Sequence, residues 1–190
     1  RANNAPKSGG GIYVDSGSLS LSNSVVEGNS AGFFGGGIGG ANSTVNVQQS
    51  VVRNNYSEQY GGGIAAVHQA EVHLWQTAVE RNYAQSEGGG IAVYDSVYLH
   101  MENSFVEKNS ASGIAGGIMA RKAAINSFQS VIGGNNAENQ GGALYADSSQ
   151  VGIFQSTIAD NSSMSASGEL ALVHSSIEVR NSIIWGNTPP

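Results

Sequence analysis

Short blocks in which apolar and polar residues alternate run along the whole chain. Ile12-Tyr13-Val14 is one such block, Leu19-Ser20-Leu21 is the next, and Asn23-Ser24-Val25-Val26 contributes a third. Alternation with a period of two residues indicates β-strands, whereas no window of the chain has the 3.6-residue spacing of an amphipathic helix. The pattern therefore predicts an all-β protein with three short strands in each stretch of about 26 residues and no long helix.

The same blocks recur at a fixed interval, which is the signature of a repeat protein. An aliphatic residue starts each first block, and successive copies are 26, 26, 27, 27, 26 and 26 residues apart: Ile12, Ile38, Ile64, Ile91, Ile118, Leu144 and Leu170. We expect the two longer repeats to hold their extra residue either in the turn after the first strand, beside His68 and Asp95, or in the glycine turn.

Repeats this short leave no room for helices between the strands, so each repeat must stack on its neighbours to bury an apolar face. Equivalent strands then lie about 4.8 Å apart, as in any β-sheet. Connections between parallel strands are right-handed in nearly all proteins. The chain is therefore predicted to be a right-handed parallel β-helix, a solenoid of about seven 26–27-residue coils, in which residues 1–190 form a single domain.

Columns of identical residues follow the repeat and have structural interpretations. A glycine stands two residues before each aliphatic residue, where we expect positive φ and close approach of neighbouring coils: Gly10, Gly36, Gly62, Gly89, Gly116, Gly142 and Gly168. An asparagine recurs with the same interval, and its amide can donate to and accept from its copies in a ladder: Asn29, Asn55, Asn82, Asn109, Asn135, Asn161 and Asn187. A Ser/Thr column that includes Ser24 and Thr77 is expected to form a second ladder or to bond the turn backbone.

Composition then narrows the classes of function. Glycine supplies 27 of the 190 residues, cysteine is absent, and the net charge is −6 with only 8 Lys and Arg. The lack of cysteine excludes disulfides, thiol catalysis and cysteine-ligated zinc. We expect no nucleic-acid partner, because phosphate binding needs a basic stripe. We also expect no membrane insertion by this chain, because no apolar run approaches the ~20 residues of a membrane helix.

Two motifs resemble those of a known group of surface proteins. Gly36-Gly37-Ile38 is followed by Val52-Arg53-Asn54-Asn55, and the same combination recurs in the next repeat. Gly-Gly-aliphatic together with hydrophobic-x-x-Asn resembles the repeats of chlamydial polymorphic outer membrane proteins and of related bacterial right-handed β-helix surface proteins. The present repeats use Val or Ile where the chlamydial ones favour Phe. This resemblance, which covers essentially the whole chain, implies a secreted or surface-exposed passenger that is often adhesive.

The outward side of the second strand carries the residues best suited to meet a ligand or partner. In the third and fourth repeats its outward positions align, and aromatic residues continue one of the columns: Glu71, His73, Trp75, Tyr98, His100, Glu102, Phe128 and Phe154. An aromatic strip suits sugar rings or a protein partner, and two imidazoles about 4.8 Å apart beside a carboxylate also suit a transition metal or acid–base chemistry. Strand propensity alone also accounts for such residues on an exposed strand, and we expect no metal, no cofactor and no catalytic residue.

Two columns on the third strand have competing interpretations. One is nearly all apolar and is either core, which we favour, or an exposed interface: Val25, Val51, Phe105, Val131 and Ile183. The other combines acids with a base, at Glu27, Arg53, Glu80 and Glu107. Because calcium takes six or more oxygens, we expect this second column to be a charge-compensated surface rather than a calcium site.

These expectations give one main hypothesis and two alternatives. The main hypothesis is a non-enzymatic extracellular or cell-surface module, structural or adhesive, that binds a host or neighbouring-cell protein or glycan. One alternative is a β-helix that binds or degrades polysaccharide. The other is a subunit that associates head to tail into filaments, since Asn3 and Asn187 fall at the same point of the repeat and open strand edges promote further pairing.

Overall fold

A computed structural model describes residues 3–164 and 169–188, and in these ranges the chain forms a parallel β-solenoid of about seven coils. The described residues form strands and turns and no helix. Each coil has four strands instead of the predicted three, so the solenoid has four parallel sheets of seven strands. The additional strand follows the asparagine and is only two residues long, too short for an alternation to reveal it in the sequence.

The four sheets are named by the order of their strands after the glycine turn. The first-strand sheet contains Ile12–Asp15, Ile38–Ala41, Ile64–Val67, Ile91–Tyr94, Ile118–Arg121, Leu144–Asp147 and Leu170–Val173. The second-strand sheet contains Ser18–Ser22, Thr44–Gln48, Glu71–Trp75, Tyr98–Glu102, Ala124–Phe128, Gln150–Phe154 and Ser176–Arg180. The third-strand sheet contains Val25–Glu27, Val51–Arg53, Ala78–Glu80, Phe105–Glu107, Val131–Gly133, Thr157–Ala159 and Ile183–Trp185. The fourth-strand sheet contains Asn4–Ala5, Ser30–Ala31, Tyr56–Ser57, Tyr83–Ala84, Ser110–Ala111, Asn136–Ala137 and Ser162–Ser163.

Neighbouring coils pair in register, so equivalent residues of the repeat stack on one another. Ile64, for example, pairs with Ile38 on one side and Ile91 on the other. The two 27-residue repeats carry their extra residue in the turn between the first and second strands, which is one of the two places expected. In each of these turns two consecutive residues have positive φ: His68 and Gln69 in one, Asp95 and Ser96 in the other.

The interior of the solenoid is filled by the inward rows of the three longer strands. The first strands contribute fully buried residues such as Ile64 and Ile91, the second strands Val72 and Leu99, and the third strands Val79. Full burial of an aliphatic side chain of this size stabilises the fold by about 1.5–3 kcal/mol. Because every coil repeats these positions, the core is continuous along the rod.

A buried asparagine ladder fixes the turn after the third strand. The Asn82 side-chain amide donates to Oδ1 of Asn109 at 3.0 Å and to the Val52 carbonyl at 2.9 Å, and the Asn82 backbone N–H donates to the same Oδ1 at 2.9 Å. Each asparagine of the column bonds the next in this way, from Asn29 to Asn187. The Ser/Thr column forms a second ladder, in which the Ser24 N–H donates to Ser50 Oγ while Ser50 Oγ donates to the Gln48 carbonyl.

Positive φ and close approach between coils, both expected at the predicted glycine column, occur at two different positions. The positive φ angles lie one residue before the predicted column, at Gly9, Gly35, Gly61, Gly88 and Gly141, and at Ala115 in the remaining described coil. At the predicted column the constraint is close approach, since a Cβ on Gly89 would lie 2.2 Å from the carbonyl oxygen of Ser110. The same crowding occurs at Gly10, Gly36, Gly62, Gly116 and Gly142, while Gly168 lies outside the described residues.

The favoured core assignment of the apolar third-strand column is wrong. Val25 is 59% exposed, Phe105 44% and Ile183 62%, and Val51 and Val131 are half-buried. The strand alternates strictly: the residue that follows each outward residue, such as Val52 after Val51, points inward and is buried. These side chains therefore form an apolar ridge on the outside of the solenoid.

Candidate functional site

The outward residues of the second-strand sheet lie on one continuous face, the second-strand face. Register places Glu71 beside Tyr98, His73 beside His100 and Trp75 beside Glu102. The column of Trp75 and Glu102 continues into the next two coils. Glu102 pairs with Phe128, and Phe128 pairs with Phe154. The eight residues named from the sequence therefore share this face, although Glu102 separates Trp75 from the two phenylalanines.

The two histidines at the centre of the face are neighbours in adjacent coils. Their ring centroids are 6.2 Å apart, and the Tyr98 ring stacks on His100 at 6.2 Å with an interplanar angle of 18°. Each histidine lies near a carboxylate of its own strand, with His73 Nε2 3.4 Å from Glu71 Oε2 and His100 Nε2 3.8 Å from Glu102 Oε2. Each imidazole therefore has a carboxylate of its own coil nearby, while His100 Nδ1 is buried without a hydrogen-bond partner.

An aromatic platform and a shallow depression lie farther along the same face. The Phe128 and Phe154 rings stack with centroids 4.8 Å apart and an interplanar angle of 24°. Beside them a depression of about 230 Å³ lies over Gly152 and is bordered by the polar side chains of Asn126, Gln150 and Glu178. Gly152 leaves room for the neighbouring ring, because a Cβ there would lie 2.5 Å from Phe154 Cε2. A pair of stacked rings thus stands next to amide and carboxylate groups.

Charges on the third-strand sheet form ion pairs with their neighbours. Arg53 donates to Glu27 at 3.0 Å, and Arg81 lies 3.2 Å from Glu80. Hydrogen bonds from Arg53 and Asn54 lower the pKa of Glu27 below its ordinary value. Across residues 3–164 and 169–188, no three histidine or carboxylate side chains come together as a metal site.

A second site lies on the outside of the first-strand sheet, and none of its residues is among the ligand or partner residues predicted from the sequence. We call it the first-strand pocket, a cavity of about 320 Å³ lined by Phe33, Phe34, Tyr60, Ala65, Val67, His68, Tyr94, Asp95 and Arg121. Small residues of the sheet form its floor, with Ala65 fully buried beneath the rings. The segment before each glycine turn crosses this floor, as the bridges from Phe34 to Tyr60 and from Tyr60 to Glu87 show.

A charged network closes one side of the first-strand pocket. The Tyr94 hydroxyl donates to Glu87 Oε2 at 2.8 Å, and burial followed by the charge of Glu87 raises the pKa of Tyr94 above its ordinary value. The Arg121 guanidinium lies 3.6 Å from Glu87 and 3.5 Å from Asp147, and its Cζ is 5.7 Å from the centre of the Tyr94 ring. The arginine is therefore held by two carboxylates and a ring.

A signal for this pocket does exist in the sequence. Each first strand starts with an aliphatic residue, and the position four residues before it forms a column. In the middle coils this column contains Phe34, Tyr60, Glu87 and Ile114, of which three are large apolar or aromatic residues. A column of this kind outside any strand indicates a side chain that covers the neighbouring sheet.

Comparison of the chain with protein-family models, curated proteins and solved structures finds no match. Residues 3–164 and 169–188 include no helix long and apolar enough to cross a membrane.

Proposed function

We propose that this chain is a non-enzymatic, extracellular binding module whose second-strand face binds an extended glycan. The observation that carries the proposal is the Phe128–Phe154 platform beside the polar depression over Gly152. Binding sites for small molecules and sugars combine apolar and aromatic surface with a few fixed polar groups. Here the stacked rings offer apolar contact to the CH groups of a sugar, and Asn126, Gln150 and Glu178 offer acceptors and donors to hydroxyl groups.

The direction of the face suits a linear polymer. Equivalent residues recur about every 4.8 Å along the rod, so His100, Phe128 and Phe154, which lie in three successive coils, present contacts along its axis. A long ligand that lies along the axis meets several of these contacts at once, and multiple weak contacts on one chain raise the overall affinity.

The proposed location is extracellular or on the cell surface. Its support is the resemblance of the glycine and asparagine motifs to the repeats of chlamydial polymorphic outer membrane proteins and related β-helix surface proteins. Adhesion to a glycan on a neighbouring surface is consistent with that resemblance.

On the second-strand face, binding is favoured over hydrolysis by the placement of the acids. Glycoside hydrolysis needs two carboxyl groups within about 10 Å of each other across one bond. Glu71 and Glu102 stand at opposite ends of five-residue strands, which separates their backbone positions by roughly 13 Å along the strand direction. Polysaccharide cleavage is the alternative that the binding experiment also tests, by assay of new chain ends.

Truncation of the platform should remove glycan binding. We expect Phe154→Ala to weaken binding to the polysaccharide retained best in a screen by about tenfold or more, since loss of a stacked aromatic contact costs on the order of 1–2 kcal/mol. Phe105→Ala is the matched control, because Phe105 is an exposed phenylalanine on the third-strand face. Affinity electrophoresis in polysaccharide-containing gels measures both variants. Equal retardation of the two variants, or cleavage that His73→Ala abolishes, contradicts the proposal.

A cavity-side substitution tests the platform geometry without deleting a ring. Gly152→Ala places a Cβ 2.5 Å from Phe154 Cε2 and from Asn126 Oδ1, so we expect the ring and the amide to move and the affinity to fall several-fold. The melting temperature should change little, because the atoms that must move are the ends of side chains. Unchanged affinity in the same gels would show that the Phe154 orientation does not matter for binding.

A further inference from the structure

The rings of the first-strand pocket meet at steep angles and form walls rather than a platform. Phe33 and Tyr60 have centroids 5.6 Å apart and planes at 86°, and Tyr60 and Tyr94 have centroids 5.5 Å apart and planes at 67°. Phe33 also meets Phe34 at 76°. This arrangement differs from the nearly parallel Phe128 and Phe154 rings of the second-strand face. A box of rings suits a compact, rounded group better than a flat sugar.

The charges around the pocket favour a cation. Arg121 is the arginine that lines it, and the carboxylates of Glu87 and Asp147 both lie within 4 Å of its guanidinium. Asp95 adds a third carboxylate on the rim, where it lies 3.8 Å from His68. Three carboxylates thus surround one guanidinium, and Asp95 is the carboxylate that lines the cavity itself. An anion would meet this excess of negative charge, whereas a cation would be attracted.

The pocket also coincides with the irregular part of the repeat. The two 27-residue coils differ from the others by one residue in the turn after the first strand, and these are the turns that carry His68 and Asp95. Departures from a regular pattern in a repeat protein are where functional sites are expected. The extra residue in each turn therefore places polar groups at the rim of an aromatic cavity.

We propose that the first-strand pocket binds a methylated ammonium group, such as that of a choline or trimethylammonium headgroup. Aromatic walls attract a cation through their negative ring faces, and recognition of quaternary ammonium by aromatic cages is the known use of that attraction. The apolar floor of Ala65 and Val67 suits methyl groups and offers no acceptor to a primary ammonium. Asp95 supplies the balancing charge at the rim. This site is independent of the glycan-binding face.

Titration calorimetry with choline chloride and with tetramethylammonium chloride tests the proposal on the whole chain. The control ligand is 3,3-dimethylbutan-1-ol, which has the shape of choline with carbon in place of nitrogen. We expect both cations to bind and the neutral alcohol to bind about tenfold more weakly, because a desolvated cation–π contact is worth about 2 kcal/mol. The proposal would be overturned if the alcohol bound as tightly as the cations or if neither cation bound. It would also be overturned if methyl glucoside bound in place of the cations.

Variants locate the site. Tyr60→Leu should lower the affinity for tetramethylammonium about tenfold, while Tyr60→Phe should keep most of it because the ring remains. Asp95→Asn should weaken binding several-fold; Asp95 is exposed and has a φ of 56°, a conformation that asparagine also adopts. Tyr56→Leu is the matched control, since Tyr56 stacks on Tyr83 in the fourth-strand sheet outside the pocket. The assignment would be contradicted if Tyr56→Leu lost as much affinity as Tyr60→Leu. It would also be contradicted if Tyr60→Leu and Asp95→Asn both kept full affinity, because the site would then lie elsewhere.

Discussion

Gly89→Ala is expected to lower the free energy of unfolding by at least about 3 kcal/mol, the upper end of what overpacking costs. The added Cβ would lie 2.2 Å from the Ser110 carbonyl oxygen and 2.6 Å from that of Gly116. Both atoms belong to the backbone of the next coil, whose position is fixed by in-register pairing, so neither can move without opening the stack. Chemical denaturation followed by circular dichroism measures the loss.

The control for this substitution is its neighbour. Gly88 has a φ of +67°, and the equivalent position of the next coil is occupied by Ala115 at +61°. A Cβ on Gly88 would lie 2.5 Å from the Ile91 carbonyl oxygen of its own coil, but the same column already accommodates an alanine at Ala115. Gly88→Ala should therefore cost less than Gly89→Ala, and about 1–2 kcal/mol of its cost is the left-handed conformation of an alanine. If Gly88→Ala were the more destabilising of the two, close approach between coils would not be the reason for the glycine column.

Asn82→Leu is expected to destabilise the protein by about 3 kcal/mol or more. Oδ1 of Asn82 accepts both the backbone N–H and the side-chain amide of Asn55, and its own amide donates to Asn109 and to the Val52 carbonyl. Leucine removes all four bonds and leaves buried polar groups without partners, each of which costs about 1–3 kcal/mol. Thermal and chemical unfolding of the variant measure the effect.

Glu80→Ala provides the comparison for the ladder. Glu80 lies two residues away on the outside of the same coil and pairs with Arg81 at 3.2 Å. A surface ion pair of this kind contributes about 0–1 kcal/mol, so the melting temperature should hardly change. Equal melting temperatures for Asn82→Leu and Glu80→Ala would mean that the ladder does not stabilise the fold.

Much of the fold is predictable from the sequence because stacking forces identical residues into one environment. The spacing of Ile38, Ile64 and Ile91 gives the coil length, and their pairing in register confirms the parallel solenoid. The two-residue fourth strand is not predictable from alternation, since Tyr56–Ser57 spans a single period and shows no repetition. Positive φ at Gly88 rather than Gly89 is a backbone property that a run of three glycines does not reveal.

The outer surfaces are less predictable than the core. Strict alternation through Val51 and Val52 gave the correct outward direction for Val51, but the apolar character of its column pointed to core, and the column is an exposed ridge. The second-strand face follows from register, so its residues could be named in advance. For the first-strand pocket the sequence offers only the column of large residues at Phe34, Tyr60 and Ile114, because these residues lie between strands, where the path of the chain over the sheet depends on tertiary packing. The role of the second-strand face in binding stays a prediction.

The most direct test of the binding account is a nuclear magnetic resonance titration of the labelled chain with the glycan chosen by the screen. The account predicts that the largest shift changes fall on the ring signals of Phe128 and Phe154 and on the side-chain amides of Asn126 and Gln150, which border one depression. Changes confined to the ridge around Phe105, or to Tyr60 and Tyr94 in the first-strand pocket, would contradict it.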